Sequence, residues 1–250
     1  MREEMSINPL NFIYPIFAVT LIIIIKRGYY NGILKNIIFD LRYNYKLVIV
    51  LFTVLLGIIL FIDEPVATYL RNLKLHKILI LEITSKLGNT FGNGNFLYSY
   101  FIVVIVIGVL LKKNIKILMI ALASSAFAGI FVMLLKFLIT RERPAVSFDS
   151  LHFFAYQAAI SKNELLKFNY TSMPSGHTIT IVAAVVPLIL FYKNKMVRAL
   201  LVFLSFTTMF NRIYSSAHWM SDVYTSIAIG ILVGINIYSL NIEKDRKNSI

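Results

Sequence analysis

Three blocks of polar residues interrupt a chain that is otherwise largely apolar. The first is Lys136 with Arg143-Pro144, the second Pro174-Ser175-Gly176-His177, and the third Arg212, His218 and Asp222. Their spacings read K-x6-R-P, P-S-G-H and R-x5-H-x3-D. Together they offer fixed cations, two imidazoles and a carboxylate. That set suits the binding and transfer of a phosphoryl group, whose transition state carries spread negative charge. Ionisable groups beside membrane spans are costly, so a cluster of them marks a functional site by default.

Each block has its own physical logic. Lys136 and Arg143 lie about two helical turns apart, so one helix end can aim both at a phosphate. Arg would supply fork geometry and Lys a point charge. Pro144 falls close to that helix's end. Ser175 and Gly176 stand just before an apolar helical run. There the unpaired N–H groups and the Ser hydroxyl form an anion cradle, and Gly admits close approach of the backbone. His218 and Asp222 are spaced i, i+4, which places both on one face of a helix. The carboxylate can hold one ring nitrogen and leave the other free to attack. The same pair suits a structural contact or a metal, but three nearby cations would repel a divalent ion. His76 and His152 have no such partners and read as surface residues.

The elements that position these blocks are membrane helices. The chain is 58% hydrophobic and 15% charged over 250 residues, with mean hydropathy +0.75. A soluble domain carries roughly 25% charge. Seven apolar runs stand out, at Leu10–Ile25, Leu47–Ile62, Phe96–Leu111, Ile117–Leu135, Thr178–Tyr192, Met196–Phe210 and Val223–Tyr238. The fold class is therefore all-α, a polytopic membrane helix bundle. Leu10–Ile25 follows a leader that is not basic and lacks a small-residue cleavage site. It reads as a retained span or anchor rather than a cleaved signal. The chain divides into residues 1–46, a hydrophobic segment with a basic connector; 47–240, the core; and 241–250, a basic tail.

The net charge of +13 does not imply nucleic acid. The cations cluster between apolar runs, and no nucleic-acid motif accompanies them. With no cysteine, disulfides and thiol chemistry are excluded. Placing residues 26–46 in the cytoplasm leaves most of the 25 Lys and Arg residues on that side, as the positive-inside rule prefers. All three polar blocks then face outward. Residues 63–95 carry Val66, Tyr69, Leu70 and Leu73 at helical spacing, with cations between them, as in a helix along the interface. Gly88, Gly92 and Gly94 do not meet G-x-G-x-x-G and read as a turn. Residues 145–172 suit a lid or a surface loop. Ala121, Ser125 and Gly129, like Gly230 and Gly234, form small-residue stripes for close helix contact, within the bundle or between copies.

The three blocks, in this order, resemble the signature of the type 2 phosphatidic acid phosphatase superfamily. The resemblance spans Leu47 to Tyr238 and implies a six-helix core, with Leu10–Ile25 as one extra N-terminal hydrophobic segment. It implies that His218 is the nucleophile, that Asp222 orients it, and that His177 protonates the leaving oxygen and then activates water. Lys136, Arg143 and Arg212 would bind phosphoryl oxygens, with Ser175 and the Gly176 backbone. No metal and no cofactor is required. One position departs from the pattern: Asn211 stands where the family usually has Ser. Asn both donates and accepts, so the expected effect is small.

The expected function is a lipid phosphatase or diphosphatase in the outer face of a bacterial cytoplasmic membrane. Its partners are the bilayer and a phosphorylated lipid, with no nucleic acid. Polyprenyl diphosphate, phosphatidylglycerophosphate, phosphatidic acid and lipid A phosphates are the candidate substrates. The rivals are a phosphotransferase using the same site and a non-catalytic lipid-phosphate binder or transporter. Neither substrate choice nor oligomeric state is written in the motifs. A neutral His218 and a protonated His177 predict a bell-shaped pH profile.

Overall fold

The computed structural model describes residues 21–75, 78–92, 115–147, 149–163 and 168–248, and among them every regular element is helical. A helical stretch over residues 21–26 leads into α1 (Ile33–Tyr43) and α2 (Tyr45–Phe61). The amphipathic α3 (Asp63–Leu75) and α4 (Leu79–Gly92) follow. After them come α5 (Ile115–Ile139), the short α6 (Tyr156–Ser161), α7 (Gly176–Phe191), α8 (Lys195–Tyr214) and α9 (Met220–Asn248).

The chain is an integral-membrane helix bundle. Helices α5, α8 and α9 are each long and apolar enough to cross a bilayer, and α1 with α2 make a fourth candidate span bent by 83°. At 16 residues α7 is shorter, about 24 Å against the roughly 30 Å of a hydrocarbon core. It can be short because it is the central helix: α5, α8 and α9 all pack on it, and most of its side chains are buried. Helix α2 presents Leu47, Ile49, Val50 and Phe52 outward, as a lipid-facing helix should. The runs at Leu47, Ile117, Thr178, Met196 and Val223 thus become α2, α5, α7, α8 and α9. Phe96–Leu111 and most of Leu10–Ile25 lie outside the described residues.

Small residues set the closest helix contacts. A Cβ on Gly230 would come within 2.9 Å of Val182, and one on Gly234 within 2.8 Å of Val186. That stripe seats α9 on α7 inside one chain. Gly88 is not part of a turn. It lies within α4, where a Cβ would overlap the Thr207 carbonyl of α8. The helical spacing that suggested an interfacial segment belongs to α3, while α4 is pressed onto α8 at Gly88.

Local signals end the helices where the polar blocks begin. Helix α5 stops at Ile139, and Thr140 follows in the left-handed region (φ 41°). Ser175 caps α7 in extended conformation, and Asn194 caps α8 by accepting from the N–H groups of Met196 and Val197. The first turn of α9 is held by Asp222, whose Oδ2 accepts from the Trp219 N–H at 2.9 Å. The ends at Ile139, Ser175 and Asp222 leave short non-helical segments that meet, whereas Asn194 lies at the far end of α7.

Candidate active site

Lys136 sits in the last turn of α5. Arg143 does not share that helix: the chain has already turned at Thr140 and runs irregularly through residues 140–143. The two cations meet by another route. Lys136 Nζ donates to the Thr171 carbonyl at 2.6 Å, and Arg143 Nη2 donates to the same oxygen at 3.2 Å. The carbonyl that joins them precedes the second block by three residues. Arg143 also donates through Nη1 to the Ala217 carbonyl at 2.7 Å.

The second block opens α7. Ser175 is fully buried, and its N–H lies 3.4 Å from the Asp222 carbonyl. Thr178 donates to its hydroxyl at 3.0 Å. At Gly176 an added Cβ would meet only the Lys136 Cε, at 3.9 Å. Lys136 therefore lies beside the start of α7, where the first N–H groups lack helical partners. His177, half-buried in that first turn, feels the positive charges of Arg212, Lys136 and Arg143.

The third block closes the site. Arg212 is buried near the end of α8, and its carbonyl accepts from the His218 N–H at 3.0 Å. His218 lies on the connection before α9 rather than on the helix itself. Its Nε2 is 3.4 Å from Arg143 Nη1. Its Nδ1 faces Asp222 Oδ2 at 3.6 Å and has no hydrogen-bond partner among the described residues. Burial pushes the ring down to about 3, with Asp222 opposing and the charges of Arg143 and Lys136 assisting. The imidazole is thus neutral at ordinary pH, as a nitrogen nucleophile must be. Burial also lowers Arg143, to about 10, with Asp222 opposing and Arg212 assisting.

Asn211 does more than substitute for a serine. Its Oδ1 accepts from Arg212 Nε at 2.8 Å and also from Nη2, while its Nδ2 donates to the carbonyl and hydroxyl of Ser85 at 2.7 and 2.6 Å. It links the Arg212 guanidinium to α4.

Other residues at the site were not singled out from sequence. Arg141 belongs to none of the three blocks. Its side chain is fully buried: Nη1 donates to Asp222 Oδ1 at 2.6 Å and Ser221 Oγ at 2.7 Å, and Nη2 to Asp63 Oδ2 at 2.7 Å. Ser172 donates to Asp222 Oδ2 at 2.5 Å. Helix α3 clamps this corner, with Glu64 accepting from the Ser150 N–H and Arg71 donating to the Pro144 carbonyl. His152 is likewise not isolated, since its Nδ1 lies 2.7 Å from Glu142 Oε2. His76 lies outside the described residues. An acidic residue directly after an apolar run, as Asp63 is, was the signal available for that part of the network.

Residues 117–246 match the sequence model of the family described as the PAP2 superfamily. The chain belongs to that superfamily. The match takes in all three PAP2 blocks but stops short of α3 and Asp63. No curated protein matches the sequence significantly. Among solved structures, the crystal structure of Aquifex aeolicus LpxE is 22% identical, with 69% of this chain and 93% of that chain covered and a TM-score of 0.49.

Proposed function

We propose that this PAP2 protein is a membrane lipid phosphatase or diphosphatase that works through a phosphohistidine. The observation that carries this reading is the placement of a buried neutral imidazole between a carboxylate and a guanidinium. His218 Nδ1 faces Asp222, and Nε2 faces Arg143. With the proton on Nδ1, the lone pair on Nε2 points to the cation that would hold the phosphoryl oxygens.

The chemistry then runs in two displacements. The Nε2 lone pair forms a bond to phosphorus, and the bond from phosphorus to the lipid oxygen breaks with its electron pair. His177 takes up a proton once the negative charge of the lipid phosphate offsets the three cations around it, and gives that proton to the lipid oxygen. In the second half His177 takes a proton from water, the water oxygen bonds to phosphorus, and the P–N bond breaks to restore His218. Lys136, Arg143 and Arg212 neutralise the oxygens throughout, with Ser175 and the Gly176 N–H at the start of α7. The carbonyls of Thr171 and Ala217 and the side-chain amide of Asn211 are among the present acceptors of these cations.

Membrane embedding favours a lipid-borne phosphate that enters sideways from the bilayer. The cation distribution favours a cytoplasmic membrane with the site on its outer face. The test is inorganic phosphate release in detergent by wild type and His218→Ala. The substrates are a polyprenyl diphosphate, phosphatidylglycerophosphate, phosphatidic acid and a lipid A phosphate. Release from at least one lipid by wild type alone is expected. More than a few per cent residual turnover in folded His218→Ala would remove it as nucleophile. No release by wild type, with transfer to a second lipid, would move the assignment to phosphotransferase.

A further inference from the structure

Asp63 opens α3, 78 positions before the arginine that precedes Arg143 in the first block's loop. It is 1% exposed. Its Oδ2 accepts from Arg141 Nη2 at 2.7 Å and from Ser221 Oγ at 2.5 Å, and its Oδ1 accepts from the Ser221 N–H at 2.9 Å. Ser221 Oγ in turn accepts from Arg141 Nη1. Every contact named here offers Asp63 a donor, which is the environment of a carboxylate. Burial raises its pKa, while Arg141 and Ser221 pull the other way.

Arg141 therefore stands between two carboxylates, Asp63 and Asp222. Had Asp222 been its sole counter-charge, the pair would be neutral. The carboxylate behind His218 would then have little net field to offer. With Asp63 included, the trio carries one net negative charge. That matters when Nε2 bonds to phosphorus, because the ring keeps its Nδ1 proton and becomes cationic. A cation formed in a buried site needs a compensating charge already in place. The charges of Arg143, at Nε2, and of Lys136 sharpen the need.

We propose that Asp63 is a positioning residue for transfer to His218: by sharing Arg141 with Asp222, it keeps a net negative charge behind the ring that receives the phosphoryl group. The proposal rests on the phosphohistidine reading above. A purely structural role for Asp63 would not distinguish ligands that bond to His218 from those that do not. Orthovanadate and inorganic phosphate make that distinction. Vanadium can rise from four to five ligands by accepting the Nε2 lone pair, with no bond broken, whereas phosphate rests on the cations alone.

The experiment uses the full chain in detergent. Calorimetry gives affinities for orthovanadate and for inorganic phosphate, and kcat is measured on whichever of the four lipids wild type hydrolyses. Asp63→Asn is expected to weaken vanadate binding and lower kcat, each roughly 10- to 100-fold, as loss of an outer partner of a reactive group does. Phosphate affinity should stay within about twofold, since uniform binding is untouched. The double variant Asp63→Asn/Arg141→Gln removes both charges and leaves Asp222 alone, again one net negative. It should recover much of the vanadate affinity and of kcat.

Unchanged vanadate affinity and kcat in folded Asp63→Asn would overturn the proposal. So would equal losses for vanadate and phosphate, or a double variant no better than the single one. If Asp63→Asn does not fold, Asp63→Glu decides. It keeps the charge and should keep vanadate affinity, and a tenfold or greater loss there would refute a charge role. Wild type that neither binds vanadate nor releases phosphate fails the phosphatase reading itself, whereas a functioning wild type with an indifferent Asp63→Asn fails this inference alone.

Discussion

Arg141 and Arg143 are separated by one residue, yet their surroundings differ in kind. Arg141 is enclosed between Asp63 and Asp222, with the Ser150 carbonyl and the Ser221 hydroxyl also accepting from its N–H groups and the Phe153 ring 4.3 Å from the guanidinium carbon. Arg143 donates to the carbonyls of Ala217 and Thr171 and faces the His218 ring. A regular extended segment would send side chains two positions apart to the same side; residues 140–143 run irregularly, and the two guanidinium groups reach different partners. Counter-charge, rather than burial, separates their roles. A guanidinium set against carboxylates is already compensated and holds the fold. One that donates to carbonyls beside the His218 ring stands where an anion at that ring would meet it.

The largest effect that could break this comparison comes from removing each guanidinium in turn. Arg143→Ala should cut kcat/KM by roughly 10²- to 10³-fold, the scale of losing one stabilising donor at a transition state. Its melting temperature in detergent should change little. Arg141→Ala should instead leave two buried carboxylates facing each other and cost about 3–5 kcal/mol of stability. The two readouts are a melting curve and a phosphate-release rate. If Arg141→Ala melts like wild type and loses only turnover, the division of labour drawn from counter-charge is wrong.

The next effect concerns His218, which lies between the two regions. Its folded pKa is about 3 against 6.5 when free. Between those values the unfolded chain binds the extra proton. The stability contributed by the neutral ring is therefore full above pH 6.5 and declines as pH falls toward 3, with a slope of at most ~1.4 kcal/mol per unit. Asp63, raised by burial, contributes with the opposite sign. Subtracting the pH dependence of His218→Gln from that of wild type isolates the histidine. Melting temperatures at pH 7.5 and 5 should diverge more in wild type than in His218→Gln, and parallel curves would show that the ring is not held neutral by burial.

What could be read from sequence follows from the range of the interactions involved. Apolar runs report helices because burial in lipid acts on each residue separately, so α2, α5, α7, α8 and α9 were foreseeable. The blocks around Lys136, Ser175 and His218 were recognisable because phosphate chemistry restricts residue types at short spacing. The route by which Lys136 and Arg143 converge was not, because it depends on the turn at Thr140 and on a shared acceptor at Thr171. Gly88 was misread as a turn because nothing local distinguishes a packing glycine from a flexible one. Asp63 and Arg141 were invisible as a pair because no periodicity links positions 78 apart. Charge compensation of that kind is a property of the folded chain.

Asn211 gives the smallest effect and the finest probe of the same distinction. It hands Arg212 a neutral acceptor, as the carbonyls do for Arg143, while its amide reaches Ser85 on α4. Replacing it by the serine usual in the family would shorten the side chain and lose the bonds to Ser85. Arg212 would keep its charge but lose part of its alignment. A neutral hydrogen bond contributes about 0.5–1.5 kcal/mol, so Asn211→Ser should raise KM or lower kcat by roughly two- to tenfold without abolishing turnover. Ser85→Ala should produce a smaller change in the same direction, because the Ser85 carbonyl still accepts from the amide. If Asn211→Ser were as damaging as removing Arg212 itself, the guanidinium would depend on α4 for its place in the site. The neutral-acceptor rule drawn from Arg143 would then not extend to the third block.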